Sequence, residues 1–205
     1  MLQRFPEGQI GIEDNGHIVA VVLSLIVNYE EFGDHHTYKQ IISGGDLSTH
    51  DPDGDVLYGI EVFVHPDYRD MRLGRRLYDA RKHLFRQFNL RAVVSGARIP
   101  GYHLHADKMG PDEYIDLVKR KEFRDQILSF QLANDFHVRR IIRDYIPNDV
   151  ESCGYAVLVE WNNIFYQRKK PSAVNPRKST VRVGSVQWQM RSVKSVEELM
   201  QHIEF

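Results

Sequence analysis

Four arginines and a glycine crowd into the short span 69–76: Arg69, Arg72, Gly74, Arg75 and Arg76, within VFVHPDYRDMRLGRRLYDARK, Val62–Lys82. An apolar run precedes them, Pro66 stops it, and from Arg75 onward the pattern becomes helical. A strand that feeds a turn into a helix start presents N–H groups without intrahelical partners. The positive end of the helix dipole lies behind those donors, so the combination favours a phosphate. Guanidinium groups would add charge-assisted bonds, and Gly74 would let a ligand approach the backbone. The same arginines would also serve as a solvated helix face with a few surface ion pairs. Spacing alone does not separate the two readings.

The elements around this turn follow from hydropathy. QIGIEDNGHIVAVVLSLIV is expected to be a hairpin turning at Asp14-Asn15-Gly16. A polar, Gly-rich connection follows through the 30s to the 50s, with one helical turn near Tyr38–Ile42; long connections of this kind often border binding sites. VLYGIEVFV is a second buried strand. From Arg75 to Phe88 the residues Leu77, Ala80, Leu84, Phe85 and Phe88 share one helical face, opposite Arg76, Lys82 and Arg86. LRAVVSGARIPGY supplies the next strand, parallel to its predecessor across the helix. Helices are expected at GPDEYIDLVKRKEF and DQILSFQLAND, and strands near HVRRII and GYAVLVEW. The fold class is therefore α+β, a mixed sheet packed by helices.

Composition narrows the setting. The chain has 205 residues, 42% of them hydrophobic, which allows a sizeable core. A formal net charge of -1 argues against nucleic acid, and the Arg72–Arg86 face lacks interleaved stacking aromatics. The single Cys fits a reducing, cytoplasmic compartment. The longest apolar run, Ile18–Val27, is interrupted by Ser24 and is a buried strand rather than a membrane span; Met1–Phe5 is no signal peptide.

The central stretch resembles the core motif of the GNAT acetyltransferase superfamily: Val-x-Val-x-Pro, then Arg/Gln-x-x-Gly-x-Gly/Ala, then a helix. Val62, Val64, Pro66, Arg69 and Gly74 match, while Arg72 stands at the motif's first glycine. The resemblance covers about Gln9 to Trp161. It implies a GNAT-like acyl-CoA N-acyltransferase fold that takes acetyl-CoA, or another acyl-CoA, as co-substrate. The pyrophosphate would lie on the backbone of Asp70, Met71, Arg72, Leu73, Gly74 and Arg75, beside Arg69, and the pantetheine would pair strand-like with Val62, Phe63 and Val64. A leading strand and two helices of the family are expected to be absent here. Many members carry a Tyr as general acid in the last helix, where this sequence places Gln131, which can hydrogen-bond a thiolate but cannot protonate it.

Direct attack of an amine on the thioester is the simplest chemistry, with backbone amides polarising the carbonyl. Glu61 is the candidate base, with a strand ion pair as its alternative role. Tyr58, Tyr102 and His103 are weaker candidates for shaping an acceptor site. His103, His105 and Asp107 in HLHAD could share a strand face, but no further Cys or His pair completes a ligand set, so no metal is assigned. The side chains of His35 and His36 are expected to point apart. Cys153 is expected to be an inert turn thiol.

After Trp161 the character changes. The expected organisation is an acyltransferase domain over 1–166, a basic Pro-containing linker over 167–179, and a strand and helix over 180–205. VRVGSVQWQM resembles the opening strand of a carbon–nitrogen hydrolase (nitrilase superfamily) domain, and a GNAT-like domain followed by such a hydrolase is similar to a known bacterial two-domain arrangement. The implied partners are a small-molecule amine, a hydrolase domain in a longer chain and, as the family allows, a second copy in a homodimer, with no nucleic acid and no membrane. A non-catalytic acyl-CoA-binding or regulatory module attached to the hydrolase is the alternative function.

Overall fold

Alternating apolar residues on either side of Asn15-Gly16 close a hairpin in the computed structural model of the chain, which describes residues 3–167. Both turn residues have positive φ, 50° and 81°, the combination a tight hairpin turn demands. Strand β1 (Gln9–Asp14) thereby pairs antiparallel with β2 (His17–Val27), and β2 pairs antiparallel with β3 (Val56–Val64). Between β2 and β3 lie two short helices, α1 (Tyr29–Phe32) and α2 (Tyr38–Ile41). The latter is fixed by a capping box in which Thr37 and Gln40 satisfy each other's backbone N–H.

Helix α3 (Leu73–Gln87) carries the chain to β4 (Ala92–Arg98), which runs parallel to β3. It begins two residues before the expected Arg75, so the free turn shortens to Arg69–Arg72. Helices α4 (Pro111–Lys119) and α5 (Leu128–Ala133) follow, then β5 (His137–Ile142) and β6 (Ala156–Asn162). The sheet order is β1-β2-β3-β4-β6-β5, mixed and six-stranded. The expected α+β class and each expected strand and helix up to Trp161 are present.

The two faces of the sheet bury different partners. On one, Leu57, Val93 and Val159 pack against α3, α4 and α5 through Phe85, Ile115 and Leu128. On the other, Tyr58, Val94 and Leu158 pack beneath Tyr29, Ile41 and Tyr145, so the long connection and the 143–155 segment form a second cover. Phase explains the division, since successive strand residues face opposite ways. Among the described residues no helix is long and apolar enough to cross a membrane. The expected linker beyond Gln167, and the strand and helix of 180–205, lie outside the described residues.

Candidate active site

Strands β3 and β4 pair only from Val56–Ala92 to Tyr58–Val94 and then part. At the point of parting, the Ser95 hydroxyl donates to the Gly59 carbonyl at 2.9 Å, taking the place of a ladder bond. Beyond it the inner edge of β3 from Ile60 to Val64 has no strand partner among the described residues, although its other edge stays paired with β2. A cavity of about 830 Å³ opens into this gap. Along its walls lie Val62, Phe63 and Val64, the turn residues Arg69, Asp70 and Arg72, and the helix start Leu73, Gly74 and Arg75. The structure therefore gathers nearly all of the expected cofactor-binding residues around one space. Met71 is exposed and does not line it.

The turn before α3 has an unusual backbone. Arg72 has φ 57° and ψ 23°, in the left-handed region, directly before α3. Asp70 is left-handed as well. An L side chain bears a steric penalty there that glycine does not. The Arg72 side chain is exposed at the cavity wall, and the substitution strains the backbone. Gly74 is buried, and a Cβ on it would come within 2.9 Å of the Phe130 ring. Its smallness serves the α3–α5 contact as well as any ligand.

A bulge re-aims the middle of β3. Leu23 pairs with Glu61 but Ser24 pairs with Gly59, so Ile60 is the extra residue. The shift puts Glu61 on the Tyr38 side of the sheet, where its carboxylate accepts the Tyr38 hydroxyl at 2.7 Å. Burial, followed by this bond, raises the Tyr38 pKa. Val62 remains on the α3 side, packed with the cluster of Leu73 and Leu77.

Arg81 fills the bulge. It is 1% exposed and was not among the expected site residues. Its Nε donates to Ser24 Oγ at 3.0 Å, and its Nη2 donates to the carbonyls of Leu23 at 3.0 Å and Glu61 at 3.1 Å. Desolvation lowers its pKa. A Cβ at residue 59 would approach its Nη1 at 2.8 Å, so Gly59 makes room for the guanidinium. Next to it, the Tyr78 hydroxyl donates to Gln131 Oε1 at 2.9 Å, leaving the Gln131 amide hydrogens free to serve another acceptor. Both residues border the cavity.

Other sequence candidates fall elsewhere. Tyr102 is buried in an aromatic cluster with Tyr114 and Tyr155, and its hydroxyl donates to the Met109 carbonyl at 3.2 Å. It does not line the cavity. His103 Nδ1 lies 2.7 Å from the Pro100 carbonyl, and the His105 ring stacks on Phe123. Tyr58 is fully buried and does not line the cavity; its hydroxyl lies 3.1 Å from that of Tyr145, which does. Cys153 is an exposed turn residue with positive φ.

A family model, that of the acetyltransferase (GNAT) family, matches residues 1–110. The chain belongs to this family. Its likeness to the uncharacterized N-acetyltransferase YkwB of Bacillus subtilis (strain 168) is 32% identity over 167 residues, covering 82% of this chain and 74% of that one. The probable hydrolase YhcX of the same organism is 42% identical over 204 residues, all of this chain, which spans 40% of the length of YhcX. Among solved structures, the loading GNATL domain of CurA from Lyngbya majuscula superposes with a TM-score of 0.67 at 23% identity, covering 77% of each chain. The GphF GNAT-like decarboxylase in complex with isobutyryl-CoA gives 0.58 at 24% identity, over 78% of this chain and 80% of that one. These two likenesses establish the GNAT fold of the described residues.

Proposed function

We propose that this GNAT domain transfers an acyl group from acetyl-CoA, or another acyl-CoA, to a small-molecule amine. The observation that carries the reading is the parting of β3 from β4 beside the start of α3. It leaves those main-chain donors and acceptors of Ile60–Val64 that face away from β2 open to a pantetheine arm, within reach of a turn whose amides and arginines suit a pyrophosphate. The fit is supported by two further features: Arg72 takes a left-handed backbone directly before α3, and the turn residues Arg69, Asp70 and Arg72 line the cavity.

The acceptor side is the face covered by the 28–55 connection. Glu61, held by Tyr38, supplies a carboxylate there that would draw an ammonium and take its first proton. Attack then forms the C–N bond, breaks the C–S bond and releases CoA as a thiolate. The Gln131 amide, oriented by Tyr78, would hydrogen-bond that thiolate. Backbone N–H groups of the open β3 edge would polarise the thioester carbonyl.

Calorimetry with acetyl-CoA and with free CoA tests binding, and a thiol-release assay over a panel of amines tests transfer. Heat with both ligands and amine-dependent thiol release are expected. Heat without release would support a binding module instead, and no heat with either ligand would sink both readings.

We read 180–205 as the opening of a carbon–nitrogen hydrolase domain, so that the acyltransferase unit would work beside a hydrolase in a longer chain. The match to a probable hydrolase 2.5 times as long supports this reading, by the 40% of YhcX that the chain spans.

A further inference from the structure

Three buried side chains form a continuous line from the cavity to the opposite cover of the sheet. Tyr145 borders the cavity, and its hydroxyl lies 3.1 Å from that of Tyr58. The Tyr58 hydroxyl lies 2.8 Å from His36 Nε2, and His36 Nδ1 lies 2.9 Å from the Gly33 carbonyl. Exposures are 3% for Tyr145, 0% for Tyr58 and 4% for His36. Beyond His36 a second hollow opens, bordered also by Glu31 and Lys39. We propose that Tyr145, Tyr58 and His36 are a proton relay that takes the second proton of the acceptor amine, the one released as the C–N bond forms. The proposal rests on the acyl-transfer reading of the cavity.

The hydrogen-bond inventory sets the direction of the line. The Gly33 carbonyl has no hydrogen to give, so Nδ1 carries the ring hydrogen. Nε2 of the neutral ring is then an acceptor, and the Tyr58 hydroxyl donates to it. The Tyr58 oxygen in turn receives the Tyr145 hydroxyl hydrogen. What Tyr145 offers the cavity is therefore a lone pair, the right polarity for an incoming N–H.

The transfer balances in one sweep. The amine N–H bond breaks onto Tyr145 oxygen, the Tyr145 proton passes to Tyr58, and the Tyr58 proton passes to Nε2. His36 ends as an imidazolium, both tyrosines are neutral again, and CoA leaves with the electron pair of the C–S bond. Water at the second hollow then takes the proton from the ring.

Position and charge suit the task. Tyr145 is pinned at both ends of its backbone, its carbonyl accepting from Tyr38 N at 2.9 Å and its N–H donating to Gly154 at 3.0 Å. Its ring lies over Gly96, where a Cβ would stand 2.3 Å from Cζ. Burial raises the pKa of both tyrosines, so they conduct a proton without resting as phenolates. Burial lowers that of His36, which keeps it neutral and receptive at neutral pH. The groups facing His36 are Asp34 and His35 beside it, Glu31 and Lys39 across the hollow, and Tyr58 and Tyr145 beneath. Asp34 would favour the imidazolium, but Arg139 at 3.4 Å and Arg140 at 3.0 Å from β5 offset its charge.

The test uses the full chain, acetyl-CoA and the best amine of the panel. Tyr58→Phe and His36→Gln are each expected to lower kcat about a hundredfold, to leave CoA affinity by calorimetry unchanged, and to move the acidic limb of the pH–rate profile, leaving only the part set by Glu61 and the amine. A role in packing alone would lower thermal stability and leave that limb in place, which would overturn the relay. Nitrogen-15 spectra of wild-type His36 give a readout apart from activity: hydrogen on Nδ1 and none on Nε2 is expected, and the opposite tautomer would overturn the proposal. Full activity in Tyr58→Phe would remove the relay and leave acyl transfer standing. A wild-type chain that transfers to no amine would remove both.

Discussion

The Ser95 hydroxyl meets the Gly59 carbonyl at 2.9 Å across the gap where β3 and β4 separate. It is the hinge point of the site: on one side the strands form a ladder, on the other they enclose the cavity. Ser95 is 9% exposed, so Ser95→Ala leaves a shielded carbonyl without its donor. The expected cost is about 1–3 kcal/mol of stability, measured by urea denaturation. A variant as stable as the parent would mean that water replaces the hydroxyl and that the splay needs no side-chain bond.

Arg81 makes a larger prediction. Its guanidinium occupies the bulge and serves two strand carbonyls and the Ser24 hydroxyl, with no carboxylate among those hydrogen-bond partners. Arg81→Met retains much of the volume but orphans those acceptors. A loss of about 2–4 kcal/mol is expected, together with weaker acetyl-CoA binding as the β3 bulge relaxes. Arg81→Lys should recover only part of the stability, because an ammonium cannot reproduce the planar fork. Equal stability of the Met variant would show that β2 and β3 can realign without the bulge.

These two residues illustrate what one-dimensional reading reaches. The hairpin, the β3–turn–α3 unit and the later helices were legible because Gly, Pro and the apolar period mark them locally. The turn before α3 was legible for the same reason. Arg81 was not, although its place between Leu77–Tyr78 and Leu84–Phe85 puts it on the buried face of α3 and could have flagged it. The face on which Glu61 lies depends on a bulge at Ile60, hinted at only by the neighbouring Gly59. The Tyr58–Tyr145 contact joins residues 87 positions apart, and no local pattern encodes such a closure. The burial of Tyr102 was not legible either, because an aromatic in a polar stretch gives no local sign of the core that forms around it.

Arg72 yields a prediction with opposed terms. Its left-handed backbone, φ 57°, is strained, so Arg72→Gly should gain about 0.5–1 kcal/mol after the added freedom of the unfolded chain is deducted. Arg72→Ala keeps the strain and removes the charge. The alanine variant is therefore expected to show no gain in melting temperature, and both variants to show a reduced salt dependence of CoA affinity. A glycine variant that melts below the parent would mean that the Arg72 side chain makes contacts worth more than the strain.

The segment that carries Tyr145 is held to β4 by an ion pair, and this gives the site a dependence on acid. Arg98 Nε donates to Asp149 Oδ2 at 2.6 Å, and Arg98 also reaches Glu151 at 3.0 Å. The Arg98 hydrogen bond, ahead of the opposing effect of burial, holds the Asp149 pKa below its ordinary value. A carboxylate whose folded pKa is depressed binds fewer protons in the folded state than in the unfolded one. Its contribution is then complete above the unfolded pKa of about 3.9 and is lost as pH falls through that value toward the folded one. Arg98→Met removes the cation and lets the Asp149 pKa rise. Acid unfolding, followed by far-UV circular dichroism, is expected to begin at higher pH in the variant, with stability near neutrality also reduced because Asp149 stays buried without its partner. An unchanged acid midpoint would show that Ser152, which donates its N–H to Asp149 at 3.3 Å, suffices to hold the carboxylate ionised.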